Sequence, residues 1–308
     1  MKRRLVEATS VFLERVKRVE RPTDSFSTRA SRSVEENDAV FMLSLSEKLL
    51  LTDWLVKQRV KVFWIEHDRV GRWLTRNPWL PRLRRLSKIA TTVVVSDLSR
   101  EIYLKLGWPK ECIVSIPNGI DLSRFTPSSK FQVPGSKTLR VGCVARLTHD
   151  KGIDLLIEAV ATLPDIHLTI LGTGPQEEQL KAQVSKLKAE QRVTFQRATR
   201  NIASFYQSKD VIVLPSRDHD PFGLVAAEAM VCGIPVIVTD ACGIARHLGE
   251  GEALIVPAGS WQTLREAIQK LRDSHLRSSI ATVGRAAAEE RFSAARMTDR
   301  YADLLEEC

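Results

Sequence analysis

The chain has little cysteine: five residues in 308, at 112, 143, 232, 242 and 308, with no C-x-x-C pair among them. An odd number without paired spacing excludes a disulfide frame or a zinc site and reads as reduced thiols of a cytoplasmic protein. No run approaches the ~18 uncharged apolar residues that a membrane helix needs. The first residues, MKRRLVEATSVFLERVKRVE, begin basic as a secretion signal does. Glu7 and Glu14 interrupt them before an adequate apolar stretch, so export is not expected. There is no glycine before Gly71, no low-complexity tract, and no internal repeat of about 20–50 residues.

What is present is an ordinary globular composition, 44% hydrophobic and 27% charged, with a length that suggests about two domains. The net charge of +9 is unevenly placed. Residues 1–125 hold 24 Lys and Arg against 15 Asp and Glu, whereas 126–308 hold 22 of each. Residues 69–88, RVGRWLTRNPWLPRLRRLSK, carry seven cations and no acid, interleaved with Trp73, Trp79 and several leucines. Such a segment suits an anionic membrane surface, with cations at the headgroups and indoles at the interface. The same charges would attract nucleic acid, but no nucleic-acid motif accompanies them, and no nucleic-acid partner is expected. A solvated face beside a loop remains the plain alternative.

Strand-like and helical runs alternate along the chain. Strands are expected at 39–43, 60–65, 91–95 and 113–116, with helices at 46–58 and around 97–106. Helical spacing at 3–19 and a polar stretch at 21–37 precede them. Residues 126–138, TPSSKFQVPGSKT, have the Pro, Ser, Gly and Lys content of a linker. A second alternation follows: strands 139–144, 166–171, 192–195, 211–214, 235–239 and 253–256. Helices at 152–163, 176–188, 201–208 and 223–232 are interspersed, and more helix runs to the end. This pattern predicts two α/β domains with parallel sheets, over 1–125 and 139–308. The last helix is expected to pack back on the first domain.

The richest stretch is 214–238, LPSRDHDPFGLVAAEAMVCGIPVIV. Asp220 and Glu228 stand around a Pro221-Phe222-Gly223 turn that leads from a strand into a helix. Open parallel sheets bind ligands where strands end and helices begin, and a helix start offers free N–H groups to phosphate. A carboxylate on each side would accept hydrogen bonds from sugar hydroxyls, so the combination points to a nucleotide sugar. Taken alone, Asp220 is equally a helix N-cap and Glu228 a solvated helix residue. Arg146 and Lys151, in ARLTHDKG (145–152), lie past another strand, where two cations and Gly152 would neutralise a pyrophosphate. Their plain alternative is pairing with Asp150 or Asp154. LGTGP (171–175) is a lone G-x-G with Glu177 at the third glycine position, so it is no dinucleotide fingerprint and reads as a tight turn.

IPNGID (116–121), 145–152, 171–175 and 214–238, in this order and spacing, resemble the retaining GT-B glycosyltransferases of family 4. The resemblance covers nearly all of the second half and, more loosely, residues 38–125. It implies two Rossmann-like domains facing a cleft, with the donor held by the second. It also implies roles: Arg146 and Lys151 on the donor diphosphate, the amides of Phe222, Gly223 and Leu224 on phosphate or sugar, and Glu228 on the ribose. Asp220 matches a glutamate that contacts the transferred sugar, here one methylene shorter. His67, in WIEHDR, matches a histidine that the family points at that sugar, and Glu66 and Asp68 beside it would hold its tautomer or raise its pKa. The plain alternative for His67 is a turn histidine.

The family begins with a strand and a glycine-rich loop that this chain does not show, so an incomplete first domain is expected. The expected activity is metal-independent transfer, without a cofactor, from a nucleoside diphosphate sugar to a glycan or lipid-linked acceptor at the inner membrane face. Asp218-His219-Asp220 as a metal site is a minor alternative. Rival functions are a sugar-nucleotide epimerase of the same fold and a donor-binding protein without activity.

Overall fold

The apolar runs become strands because a parallel sheet covered on both faces buries every side chain of its central strands, which are therefore Val- and Ile-rich. VIVL at 211–214 and VIVT at 236–239 are buried at all four positions each. The computed structural model describes residues 39–69, 72–127 and 138–307. The helical spacing at 3–19, the polar stretch at 21–37 and most of the expected linker lie outside the described residues. The chain divides into two units, Met1–Gly119 with Ala294–Cys308, and Ile120–Ser293.

In the first unit β1 (Ala39–Met42), β2 (Lys61–Glu66), β3 (Thr91–Val94) and β4 (Ile113–Ser115) form a parallel sheet in the order β1-β2-β3-β4. Helix α1 (Leu45–Lys57) starts at a capping box, in which Ser44 accepts from the Glu47 amide while the Glu47 carboxylate accepts from the Ser44 amide. Short helices α2 (Arg72–Thr75) and α3 (Leu80–Leu86) follow β2, and α4 (Asp97–Lys105) follows β3 from its Ser96 cap. Trp64 is fully buried, its indole N–H donating to Thr52 Oγ1 at 3.1 Å, and that hydroxyl donates to Lys48 O at 2.7 Å.

Leu74, Leu80, Leu83 and Leu86 all enter this core, so the leucines interleaved with the basic run hold the helices down. The other sheet face packs on α11 (Ala294–Glu307), where Leu304 is buried with Phe63, Val93 and Ile116 and Tyr301 meets Phe41 edge-on at 6.0 Å.

The second unit begins at Ile120, before the expected boundary at 125, because residues 120–126 are bound into it. The Ile120 amide donates to Phe292 O at 2.8 Å, and the Gln207 side chain donates to Thr126 O at 2.7 Å. Its strands are β5 (Leu139–Val144), β6 (Ile166–Leu171), β7 (Val193–Gln196), β8 (Val211–Leu214), β9 (Val236–Thr239) and β10 (Leu254–Val256). All are parallel, in the order β10-β9-β8-β5-β6-β7. Helices α5 (Ile153–Ala161), α6 (Glu177–Lys186), α7 (Ile202–Gln207), α8 (Leu224–Val231), α9 (Trp261–Lys270) and α10 (Ser274–Arg291) complete it. The strand order runs one way from β5 to β7 and the other way from β8 to β10. The reversal falls between β5 and β8, and in such sheets the ligand crevice lies outside the carboxyl ends at the reversal.

Candidate functional site

Both loops at that reversal carry residues singled out from the sequence. The loop after β5 passes Arg146 and ends in a single 3-10 turn, His149–Lys151. Gly152 leaves the turn at φ 62°, and a Cβ there would fall onto Pro215 O of the loop after β8. The two loops are thus in backbone contact, which only glycine allows. They are also tied by hydrogen bonds. The amides of Arg217 and Asp218 donate to Asp150 O at 2.9 and 3.3 Å, and the Arg217 guanidinium donates to His149 O at 3.2 Å and to Asp154 Oδ2 at 2.8 Å.

Lys151 Nζ reaches Asp220 Oδ2 at 2.6 Å, with side chains only 16% and 15% exposed. Ser216 Oγ donates to the same carboxylate oxygen at 3.3 Å. Asp154 pairs with Arg217 and Lys151 with Asp220, so the expected alternative of Lys151 pairing with Asp150 or Asp154 does not occur. Asp220 is not the helix cap either. Its amide donates to Ala241 O at 2.9 Å and its carbonyl accepts from the Gly243 amide at 2.8 Å, which pins it to the loop after β9. Burial, with the Asp220 carboxylate second, pushes the nearby Cys242 thiol up to about 12. That thiol is inert at neutral pH.

The cap of α8 is Gly223, at φ 96° and ψ 49°. A Cβ there would lie 3.2 Å from Ile244 Cγ2 and 3.3 Å from Leu214 Cδ2, in a backbone region that side chains rarely adopt. With no side chain capping it, the helix start keeps its donors. Among the described residues, no hydrogen bond from the Phe222, Gly223 or Leu224 amide is found. The Phe222 ring is turned inward, 5.4 Å from Phe292 and edge-on to it, and 6.4 Å from His247. One turn into α8, the Glu228 carboxylate accepts a 2.6 Å hydrogen bond from the Tyr206 hydroxyl of α7.

Arg146 is exposed, and its side chain has no hydrogen bond or ion pair among the described residues. LGTGP is a packing device: a Cβ at Gly172 would fall onto Ala145 O, and one at Gly174 onto Leu147 O.

His67 belongs to the first unit, half-buried at the carboxyl end of β2. The expectation that Glu66 holds it is not met. Glu66 is engaged by Lys48, whose Nζ donates to its Oε1 at 2.9 Å, and its charge helps burial raise the Tyr103 phenol well above its usual range. Asp68 is exposed. Among the described residues no group of three or more His, Cys, Asp or Glu forms a metal cage, so the 218–220 triplet does not assemble into one. No helix among them is long and apolar enough to cross a membrane.

Sequence reasoning missed Tyr206, Ser216 and Arg217. Ser216 and Arg217 lie inside the stretch that was singled out, but their hydrogen-bond partners come from the other loop and from Asp220. Tyr206 reads as one more apolar residue of a helix, since nothing local marks its hydroxyl as bonded to a residue 22 positions on.

Comparison with known proteins identifies the family. The profile of the glycosyl transferases group 1 family matches residues 126–287, a span that contains Arg146, Lys151, Asp220 and Glu228. The chain is 29% identical over 304 residues to the lipopolysaccharide core biosynthesis glycosyltransferase LpsD of Rhizobium meliloti, covering 90% of the chain and 87% of the relative. It is 31% identical over 203 residues to LpsE of the same organism, covering 65% of the chain and 59% of that protein. Its fold resembles that of Anabaena HepE, solved in complex with UDP, at TM-score 0.78 and 24% identity, over 88% of this chain and 79% of that one. The parallel α/β architecture is that of the GT-B structures. The chain belongs to the glycosyl transferases group 1 family.

Proposed function

We propose that this protein is a retaining glycosyltransferase that moves a sugar from a nucleoside diphosphate sugar to a glycan or lipid-linked acceptor, without a metal ion. The observation that carries this is the meeting of Lys151 and Asp220 at the strand reversal, beside the start of α8. Lys151, with Arg146 and the amides of Phe222, Gly223 and Leu224, holds the diphosphate. Glu228 takes the ribose hydroxyls, and Asp220 takes the transferred sugar. His67, at the carboxyl end of β2, is the candidate catalytic residue of the first unit. When the glycosidic bond breaks, the diphosphate gains negative charge, and the cations and N–H groups already bound to it stabilise that charge. The lipopolysaccharide-core names of the two Rhizobium relatives support a glycan acceptor, and the UDP and UDP-glucose complexes of HepE support a nucleotide-sugar donor.

The basic run 69–88 serves as a loose contact with an anionic membrane. Three of its arginines are already engaged: Arg82 with Leu49 O, Arg84 with Leu106 O, and Arg85 with Asp53. Arg76, Lys88 and the half-exposed Trp79 are therefore the residues assigned to the lipid surface.

Titration with UDP and GDP, followed by a transfer assay with UDP- and GDP-sugars, tests the reading. Nucleoside diphosphate binding that Lys151→Ala weakens, together with transfer to an acceptor, is the expected result. Binding that ignores Lys151 refutes the diphosphate assignment, and binding without transfer refutes the enzyme.

A further inference from the structure

We infer that Tyr206 is a positioning residue for nucleotide recognition: its hydroxyl sets the Glu228 carboxylate in the orientation that recognises a ribose diol. The inference rests on the proposed ribose role of Glu228 and adds a residue to it. Tyr206 is fully buried, and its hydroxyl donates to Glu228 Oε2 at 2.6 Å. That is the short distance of an O–H bond to an ionised acceptor, which is roughly twice as strong as a neutral one. A glutamate side chain has three rotatable bonds, and fixing it costs rotamer freedom. Here the phenol holds one of its oxygens, so a ligand that binds Glu228 meets a carboxylate already partly oriented.

The phenol is itself held from two sides. The Phe205 ring stands edge-on at 6.1 Å, and the Phe125 ring lies tilted at 6.3 Å. Phe125 is buried, and one residue on, Thr126 O accepts from the Gln207 side chain. The segment just after IPNGID thereby seats the helix that carries Tyr206. A phenylalanine at 206 would satisfy this packing equally well, so the hydroxyl is the part that packing does not explain.

Tyr206→Phe removes that hydroxyl and leaves the ring. The probes are UDP and GDP against their 2′,3′-dideoxy counterparts, titrated into the parent, Tyr206→Phe and Glu228→Gln. The expected result in Tyr206→Phe is about tenfold weaker binding of the ribonucleotide, the worth of one charge-assisted hydrogen bond, with the dideoxynucleotide changed by less than about twofold. The KM for the sugar nucleotide should rise in parallel while kcat holds. The ratio of the two affinities is read within one variant, so partial unfolding does not alter it. Equal weakening of both probes would make Tyr206 a packing residue, and no change in either would also overturn the inference. If Glu228→Gln leaves the ribose preference of the parent intact, the ribose reading fails and the inference fails with it. If Glu228→Gln removes the preference and Tyr206→Phe does not, only the inference is lost.

Discussion

Each unit of this protein holds a lysine–carboxylate pair at the carboxyl end of a parallel sheet, and the two pairs are built differently. In the first unit Lys48 is 4% exposed, donates to Glu66 at 2.9 Å and also to Ile65 O at 3.2 Å. Helix α1 supplies the cation and β2 supplies both acceptors, so the pair closes a polar gap between two neighbouring elements. In the second unit Lys151 is 16% exposed and comes from one loop, and Asp220 comes from another, at a strand reversal. Its surroundings are a hydroxyl, a helix start and glycines that bring backbones together. The first pair is a satisfied interior contact. On the proposed function, the second is a cation held where an incoming diphosphate can compete for it. The two pairs are similarly enclosed, so it is the topology of the sheet that singles out the second as the candidate.

Breaking the first pair should have the largest effect, and on stability. Lys48→Ala leaves the Glu66 carboxylate, 19% exposed, without its cation and also removes a buried side chain, a loss at the low end of the roughly 3–5 kcal/mol for a broken buried pair. Denaturant unfolding should show that loss, and nucleotide affinity measured on the folded fraction should be unchanged. Lys151→Ala is expected to act on binding instead. The lost charge-assisted contact lowers nucleoside diphosphate affinity by about tenfold to a hundredfold, with a smaller change in unfolding.

Asp220→Asn sharpens the contrast, because it removes the anion that competes with diphosphate. UDP or GDP should bind more tightly, by up to about tenfold, while transfer slows, since the sugar loses its carboxylate. Arg146→Ala should give the smallest effect. Its side chain is exposed, so its pull on a diphosphate is screened and should fade as salt is raised.

Much of this was legible in the sequence. VIVL and VIVT announce buried parallel strands, and LVAAEAMV between them is the helix they predict. The spacing of Asp220 and Glu228 around Pro221-Phe222-Gly223 located the helix start. What could not be read was the partner of each carboxylate. Lys151 and Asp220 are 69 residues apart and meet because β5 pairs with β8, across the two strands that intervene in the chain. No local signal encodes that pairing. The glycines of LGTGP looked like a tight turn, and they are where one loop passes the backbone of another. The basic run as a whole looked suited to an anionic membrane surface, but its leucines at 74, 80, 83 and 86 are core residues. Charge and hydropathy along the chain are the same in both cases; only packing separates them.

A crystal structure with UDP or GDP bound tests the central claim most directly. The account predicts the diphosphate at the strand reversal, Lys151 Nζ moved from Asp220 onto a phosphate oxygen, and the ribose hydroxyls on Glu228. A diphosphate bound elsewhere, with the Lys151–Asp220 contact still closed at 2.6 Å, would contradict it.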